Sequence, residues 1–481
     1  MNLAHVLDGH PDDKVAVLTG DTTSTYGDVR RAVAGIRGGL VRLGVAPGDR
    51  VAVVAPNDRL FVDVYLAVLG VGAVAVPLNP TSPAPELTRE VEAIGARVVV
   101  AGAGVAVPPA EHVLDPDAIE GMRYGEPADV VERNASDLAV LIFTAGTAGS
   151  PKAAMLTHGN LRSNIDQVRQ LPGRRLEPTD VSLGVLPMFH IFGLNVVLGQ
   201  TLAAGASVVL VDRFHADATL EVVRHHGCTV VAGAPPMWAA WTALPDAGPD
   251  DMASVRLAVS GASKLSEEVA AAFEARFGVR ISEGYGLTEA SPIVASAAGS
   301  DAPNGSIGSP IPGVQVRLVD PDGDDALLGD GGELWVRGPN VFPGYWEDEA
   351  STAAALTPDG WLRTGDIAAA DDAGNLYIVD RSKDLIIVSG FNVYPAEVED
   401  VLLEHPGIEA AAVIGVEAMK TGEAVAAFVV PSAGATLDEA EVIAFVGARL
   451  ARYKCPTSVQ VVAEIPQGMG GKVLRRQLRS A

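Results

Sequence analysis

A loop rich in glycine and hydroxyl residues, Thr144-Ala-Gly-Thr-Ala-Gly-Ser-Pro-Lys152, follows the apolar run Leu138-Ala-Val-Leu-Ile-Phe. Such a loop lets backbone N–H groups curl around phosphate oxygens, while hydroxyls and a lysine add donors and charge. Its candidate ligands are Thr144, Gly146, Thr147, Gly149 and Lys152. The spacing is not that of a Walker loop, because Pro151 precedes the lysine and no Gly-Lys-Ser/Thr occurs. A second cluster is Glu283-Gly-Tyr-Gly-Leu-Thr-Glu289. An aromatic ring between glycines can lie flat on a purine, so Glu283, Gly284, Tyr285 and Gly286 read as a base platform. Thr288 can donate to a phosphate, and Glu289 is a hard oxygen ligand suited to Mg²⁺; Thr144 is the other metal candidate. Asp366, in Trp361-Leu-Arg-Thr-Gly-Asp366, can accept hydrogen bonds from both hydroxyls of a ribose.

These clusters occur in the order phosphate loop, platform, Asp380-Arg-Ser-Lys-Asp384 and a glycine loop ending at Lys472. Together they resemble the adenylate-forming superfamily, in particular its acyl-CoA synthetases, over nearly the whole chain from Thr25-Tyr-Gly-Asp to Arg476. The resemblance implies ATP, Mg²⁺ and coenzyme A as reactants and an acyl-AMP intermediate. It gives Tyr285 to adenine, with the Gly261-Ala262-Ser263 backbone at its border. It gives Asp366 and Arg381 to the ribose, and Thr288, Glu289 and Lys472 to the reacting phosphate and its metal. His190, with Gly193, Leu194, Gly286 and Leu287, would border the acid. Ser389, Gly390 and Phe391 would line the thiol tunnel, and Lys383 would be the hinge on which a C-terminal domain turns between the two half-reactions. The phosphate loop departs from the family pattern at Ala145, Ala148 and Ala153, and Lys264 replaces a frequent proline.

For the acid, the expectation is a fatty acid. Fatty-acid relatives often carry glutamate at position 283, and Phe189-His-Ile-Phe-Gly-Leu-Asn holds no carboxylate for an amino-acid ammonium. The acid pocket is expected around His190 to Leu194, Val231 to Trp238 and Leu287 to Pro292. The competing readings are an acyl-AMP ligase that loads a carrier protein, an aryl-acid CoA ligase, and a decayed nucleotide-binding regulator motivated by Ala145 and Ala148. The incomplete fingerprint Gly70-Val-Gly72-Ala-Val-Ala75 sits at a helix end, which argues against a dinucleotide site.

The elements that must position these residues follow from the hydrophobic pattern. Short β-branched runs such as Arg50-Val-Ala-Val-Val-Ala and Leu257-Ala-Val-Ser alternate with helical stretches for three hundred residues, which predicts parallel α/β layers. Beyond Gly305 turns become frequent and strands follow without helices. The last hundred residues suffice for a separate α+β domain. The expected fold is therefore α/β, with a large N-terminal domain (residues 1–380) of two layered α/β subdomains and a small β-barrel-like unit. A hinge at 381–384 and a small mobile C-terminal domain at 385–481 complete it.

The 481 residues carry a formal net charge of −25, a field that disfavours nucleic acid and anionic membrane as partners. Two cysteines cannot form a disulfide framework, and no secretory signal or membrane span is read, so a cytoplasmic setting is expected. A homodimer is compatible with these features.

Overall fold

The computed structural model describes all residues except 145–151, 327–330, 382–385, 389–390, 394, 419–421, 451–453, 468–472 and 480–481; at 380, 381, 387, 391, 392, 422 and 476 only the backbone is described. The chain divides into two compact units. One comprises Met1–Gly233, Met237–Gln315 and Val336–Leu362; the other comprises Ala234–Pro236, Val316–Trp335 and Arg363–Ala481.

The first unit holds two large sheets. The six-stranded sheet runs in the order His112–Leu114, Val98–Ala101, Arg50–Val54, Val74–Leu78, Leu138–Thr144, Lys152–Thr157. Its strands are parallel except for the last pair, which is antiparallel with Thr144 opposite Lys152. The nine-stranded sheet has a parallel centre, Ile281–Gly286, Leu257–Ser260, Val230–Gly233, Val181–Gly184, Ser207–Leu210 and Val15–Thr19. Antiparallel strands flank it on both sides. The near-continuous apolar runs in these strands are what a parallel sheet covered on both faces requires. Val51 to Val54 and Val74 to Val76 are at most 1% exposed. The helix Arg59–Val71 is buried and stops at Gly72, which takes a left-handed conformation with φ 82°. The glycine pair near residue 70 is thus a helix stop and not a nucleotide turn.

The strands Gln315–Val319, Gly332–Arg337, Leu362–Ala370 and Leu376–Arg381 pair in that order as an open sheet. The barrel-like expectation is corrected here. The strands follow one another linearly, and among the described residues no pairing joins the first to the last. A five-stranded sheet lies further along, built on the long antiparallel pair Ile408–Ala418 and Gly422–Pro431, with Ser458–Val461 added in parallel. The helices Pro395–Leu403 and Glu439–Gly447 supply Val398, Leu402, Val442 and Val446 to its core. Among the described residues, no helix is long and apolar enough to cross a membrane.

Candidate active site

The platform motif begins in the strand Ile281–Gly286 and turns into the short helix Thr288–Ala290. A side chain at Gly286 would place its Cβ 2.2 Å from the Pro292 carbonyl oxygen, so the return of the chain admits only glycine. Gly284 meets nothing closer than 3.4 Å, so no crowding within the protein requires glycine there. Three asparagines, each at most 1% exposed, hold this segment in place. Asn164 Nδ2 donates to the Ile293 carbonyl at 2.8 Å and Asn164 Oδ1 accepts from the Ile293 amide at 3.2 Å. Asn195 Nδ2 donates to the Ser291 carbonyl at 2.7 Å. Asn340 Nδ2 donates to the Ala290 carbonyl at 2.8 Å. Buried amides paired with buried carbonyls fix one backbone path, because any other path leaves a desolvated polar group unpaired. Ser291 takes a positive φ of 69°, and the Ser291–Pro292 peptide is cis.

Glu289 projects from this fixed segment. Its Oε1 accepts a 2.7 Å hydrogen bond from the Tyr345 hydroxyl, and its backbone carbonyl accepts from the Phe342 amide at 2.8 Å. The same Tyr345 ring lies under the Lys152 ammonium, 5.5 Å from centroid to Nζ, within cation–π range. Tyr345 therefore ties the end of the phosphate-loop lysine to the carboxylate of the platform. Burial, and then the neighbouring Glu289 charge, push the Tyr345 hydroxyl well above its ordinary pKa, so it remains a donor. The Glu289 Oε2 atom has no hydrogen-bond partner among the described residues. Thr144 Oγ1 donates to the Lys152 carbonyl at 3.4 Å. A free carboxylate oxygen suits Mg²⁺, which is usually held by one or two carboxylates and completed by substrate phosphates and water. Among the described residues no group of three or more His, Cys, Asp or Glu could hold a metal without such help.

Glu283 is placed differently from its neighbours. It is 9% exposed, and its Oε2 accepts from the Leu265 amide at 3.1 Å, with the Gly305 amide also donating to it. Burial raises its pKa, and these backbone donors oppose the rise. Its carboxylate thus closes the loop that carries Gly261, Ala262 and Ser263. Ala262 in that loop has φ 73°, a left-handed conformation that costs a non-glycine residue about 1–3 kcal/mol and marks a strained turn at a strand end.

His190 is exposed at the start of the helical segment Phe192–Gly199. Its Nδ1 accepts from the Phe192 amide at 3.2 Å, which puts the proton of a neutral imidazole on Nε2. Gly193 lies so close to the Pro187 carbonyl that a Cβ would stand 2.3 Å from it. Leu194 is fully buried. Trp238, expected in the acid pocket, packs instead in the core between Trp241 and Phe273, at centroid distances of 5.4 and 5.2 Å. It lies behind Gly233, whose hypothetical Cβ would meet its ring at 2.9 Å.

In the second unit Asp366 is 6% exposed and stands opposite Arg381 in the antiparallel ladder, so the two expected ribose residues are strand neighbours. The turn before it is held by Glu333, whose Oε1 accepts from the Gly365 amide at 3.1 Å and whose Oε2 accepts from Trp335 Nε1 at 2.9 Å. Gly146, Thr147, Gly149, Lys383, Ser389, Gly390 and Lys472 lie outside the described residues; of Phe391 only the backbone, in the strand Phe391–Val393, is described.

Sequence reasoning missed Tyr345 and the three asparagines. Tyr345 had a weak signal in Pro343-Gly-Tyr-Trp, an aromatic pair after a glycine. Asn195 stands out as the one amide in an apolar helix.

The sequence profile of the AMP-binding enzymes matches residues 3–346, and that of the AMP-binding enzyme C-terminal domain matches residues 397–472. The chain is 38% identical over 479 residues to a feruloyl-CoA synthase of Amycolatopsis sp, covering 96% of this chain and 95% of that one. It is 33% identical over 481 residues to 4-coumarate–CoA ligase 2 of Nicotiana tabacum, covering 95% and 89%. Among solved structures, ATP-bound MatB from Rhodopseudomonas palustris superposes with a TM-score of 0.92 at 32% identity, over 100% of this chain and 99% of that one. The o-succinylbenzoate CoA synthetase of Bacillus subtilis, in complex with its acyl-adenylate, gives 0.89 at 27% identity, over 100% and 98%.

Proposed function

The chain belongs to the AMP-binding enzymes and is an AMP-forming acid–thiol ligase, and from this premise we propose that it activates an arylpropenoic acid of the hydroxycinnamate kind and passes the acyl group to free coenzyme A. The relatives named for feruloyl and coumaroyl substrates support the aromatic choice over the fatty acid expected from Glu283. Glu283 itself speaks for the turn it closes, since its carboxylate is engaged by backbone amides.

A carboxylate oxygen of the acid attacks the α-phosphorus of ATP, the α–β bridging bond breaks, and pyrophosphate leaves. The thiol of coenzyme A then adds to the acyl carbon, AMP departs with the original carboxylate oxygen, and the thiol proton is released. Bound Mg²⁺ supplies positive charge against the phosphate oxygens. The single observation that carries the reading is the Lys152–Tyr345–Glu289 arrangement on a segment held by buried asparagines. In most enzymes the greater part of the rate acceleration comes from charge-stabilising groups that need no reorganisation. Lys152 meets phosphate charge, Tyr345 orients Glu289, and Glu289 presents one oxygen to a cation. His190, with its Nε2 proton, orients the acid carboxylate. Tyr285 stacks on adenine, and Asp366 with Arg381 holds the ribose. Lys472 enters for the first half-reaction. Turning at 381–384 then brings Ser389, Gly390 and Phe391 to the thiol for the second, so that residues 385–481 act as the mobile domain.

Release of AMP and pyrophosphate, measured across hydroxycinnamates, benzoates and fatty acids with coenzyme A present, tests this. The expected result is highest kcat/KM for a hydroxycinnamate and formation of its CoA thioester. Turnover confined to fatty acids, or acyl transfer only to a phosphopantetheinylated carrier protein, contradicts it.

A further inference from the structure

The acid site has a floor that the motifs did not point to. Gly261 ends the strand Leu257–Ser260, and a Cβ on it would touch the Phe192 ring at 3.1 Å, so this face of the strand looks at the helix that starts beside His190. Side chains alternate along a strand, so Val259 and Leu257 share that face, about 7 and 13 Å below Gly261 at roughly 3.3 Å per residue. There they line a cavity of about 20 Å³, together with Val196 and Val197 one turn along the helix and Gln200 beyond them. Arg174 closes the cavity from the chain that leads into the strand Val181–Gly184.

Both polar residues are almost wholly buried, Arg174 at 5% exposure and Gln200 at 4%. Arg174 Nη1 donates to Ser296 Oγ at 3.2 Å, but Arg174 Nε and Gln200 Nε2 have no acceptor among the described residues. Burial lowers the Arg174 pKa to about 10, and no carboxylate contributes an opposing effect. A buried guanidinium without a counter-charge is costly, and buried donors ordinarily find acceptors. A void above roughly 10–15 Å³ takes one water or one small polar group. The missing acceptor is therefore of the size of a single ligand oxygen with its carbon. An extended arylpropenoic acid reaches on the order of 8 Å from carboxyl carbon to its far ring substituent by standard bond lengths, a length between the roughly 7 and 13 Å at which Val259 and Leu257 stand below Gly261.

We propose that Arg174 and Gln200 form a polar stop at the far end of the acid pocket, selecting acids whose end opposite the reacting carboxylate carries an oxygen acceptor, whether a phenol, a methoxy group or a second carboxylate. This rests on the reading of the chain as an acid-activating ligase and extends it to the substrate's distal end. A site built to hydrogen-bond a substrate oxygen discriminates strongly against the analogue that lacks it, because its own donors are then left unpaired.

The test compares kcat/KM for matched acids in the enzyme, in Arg174→Met and in Gln200→Leu. Cinnamic acid is set against 4-hydroxycinnamic acid and 4-carboxycinnamic acid, and octanoic acid against 8-hydroxyoctanoic and octanedioic acid. The expected result is a preference for the oxygen-bearing member of roughly tenfold or more in the series that reacts. That preference collapses by about the same factor in both variants, through loss of kcat/KM with the oxygen-bearing acid. Comparing the acids whose distal group is a neutral hydroxyl with those whose distal group is a carboxylate shows which oxygen fits better. A preference ratio within about twofold of the unmodified enzyme in the variants, or no preference at all, overturns the proposal and leaves the cavity as a place for water. If Arg174→Met fails to fold by thermal melting, Gln200→Leu decides alone. Activity confined to the alkanoic series overturns the aromatic reading while the ratio test still stands; no AMP release with any acid overturns both.

Discussion

The turn at Glu289 and the cavity at Arg174 lie in the same unit and are built in opposite ways. At the turn, every backbone carbonyl that the asparagines reach is paired, and Glu289 is oriented by Tyr345 before any ligand arrives. At the cavity, two donors on nearly buried side chains have no acceptor among the described residues. The difference separates two tasks. Chemistry common to all acids calls for groups fixed in advance, because reorganisation at the moment of reaction costs rate. Choice among acids calls for groups that only the correct acid satisfies.

This contrast can be broken at several points. The largest effect is expected outside the described residues, at Lys472. Lys472→Ala should lower adenylate formation by roughly 10²–10³ and largely spare thioester formation from supplied acyl-AMP, measured as separate half-reactions. Equal loss of both would remove the lysine from the first step. Lys383→Pro is the complementary probe, keeping pyrophosphate exchange while blocking thioester release.

Next is the prearranged end. Tyr345→Phe removes the 2.7 Å hydrogen bond to Glu289 but leaves a ring under Lys152. A hydrogen bond to a charged group is worth about 1.5–3 kcal/mol, so adenylation should slow by roughly 10- to 100-fold. The distal preference among acids should not change, and a variant that shifts it would merge the two regions. Asn340→Leu leaves the Ala290 carbonyl without its donor, and should lower stability by about 1–3 kcal/mol in chemical denaturation.

The smallest effect is a control on the helix Ala84–Ala93, which packs with the six-stranded sheet. Glu90 is 8% exposed, and burial, reinforced by Glu86 and opposed by Arg89, raises its pKa to about 7. The folded protein therefore holds this proton at pH values where the unfolded chain has lost it. The stability contributed by protonated Glu90 is complete below the ordinary glutamate pKa and is lost as pH rises toward 7. Glu90→Gln should gain on the parent by on the order of 1 kcal/mol between pH 5 and 8, with acid preference unaltered. A flat difference across that range would remove the titration.

Much of this site could be read from the chain because its residues act close to where they stand. Gly284 to Glu289 form one strand end and its turn, and Ser260 to Ser263 form another. Asp366 and Arg381 stand opposite each other because two antiparallel strands bring their backbones into register. The parallel layers were legible from apolar runs, while closure of the small β unit was not, since local pattern does not say whether end strands meet. The asparagines were hidden for a different reason. Asn340 reaches a carbonyl 50 positions away and Asn164 one 129 positions away, and neither distance leaves a mark in local spacing. Nothing in Gly173-Arg-Arg separates Arg174 from Arg175; burial in the fold does.

The central claim is that the acid oxygen attacks the α-phosphorus. An acid that the enzyme accepts, labelled with ¹⁸O in both carboxylate oxygens, should transfer one labelled oxygen to AMP when incubated with ATP and coenzyme A, leaving pyrophosphate unlabelled. Label recovered in inorganic phosphate beside ADP, with none in AMP, would contradict the account.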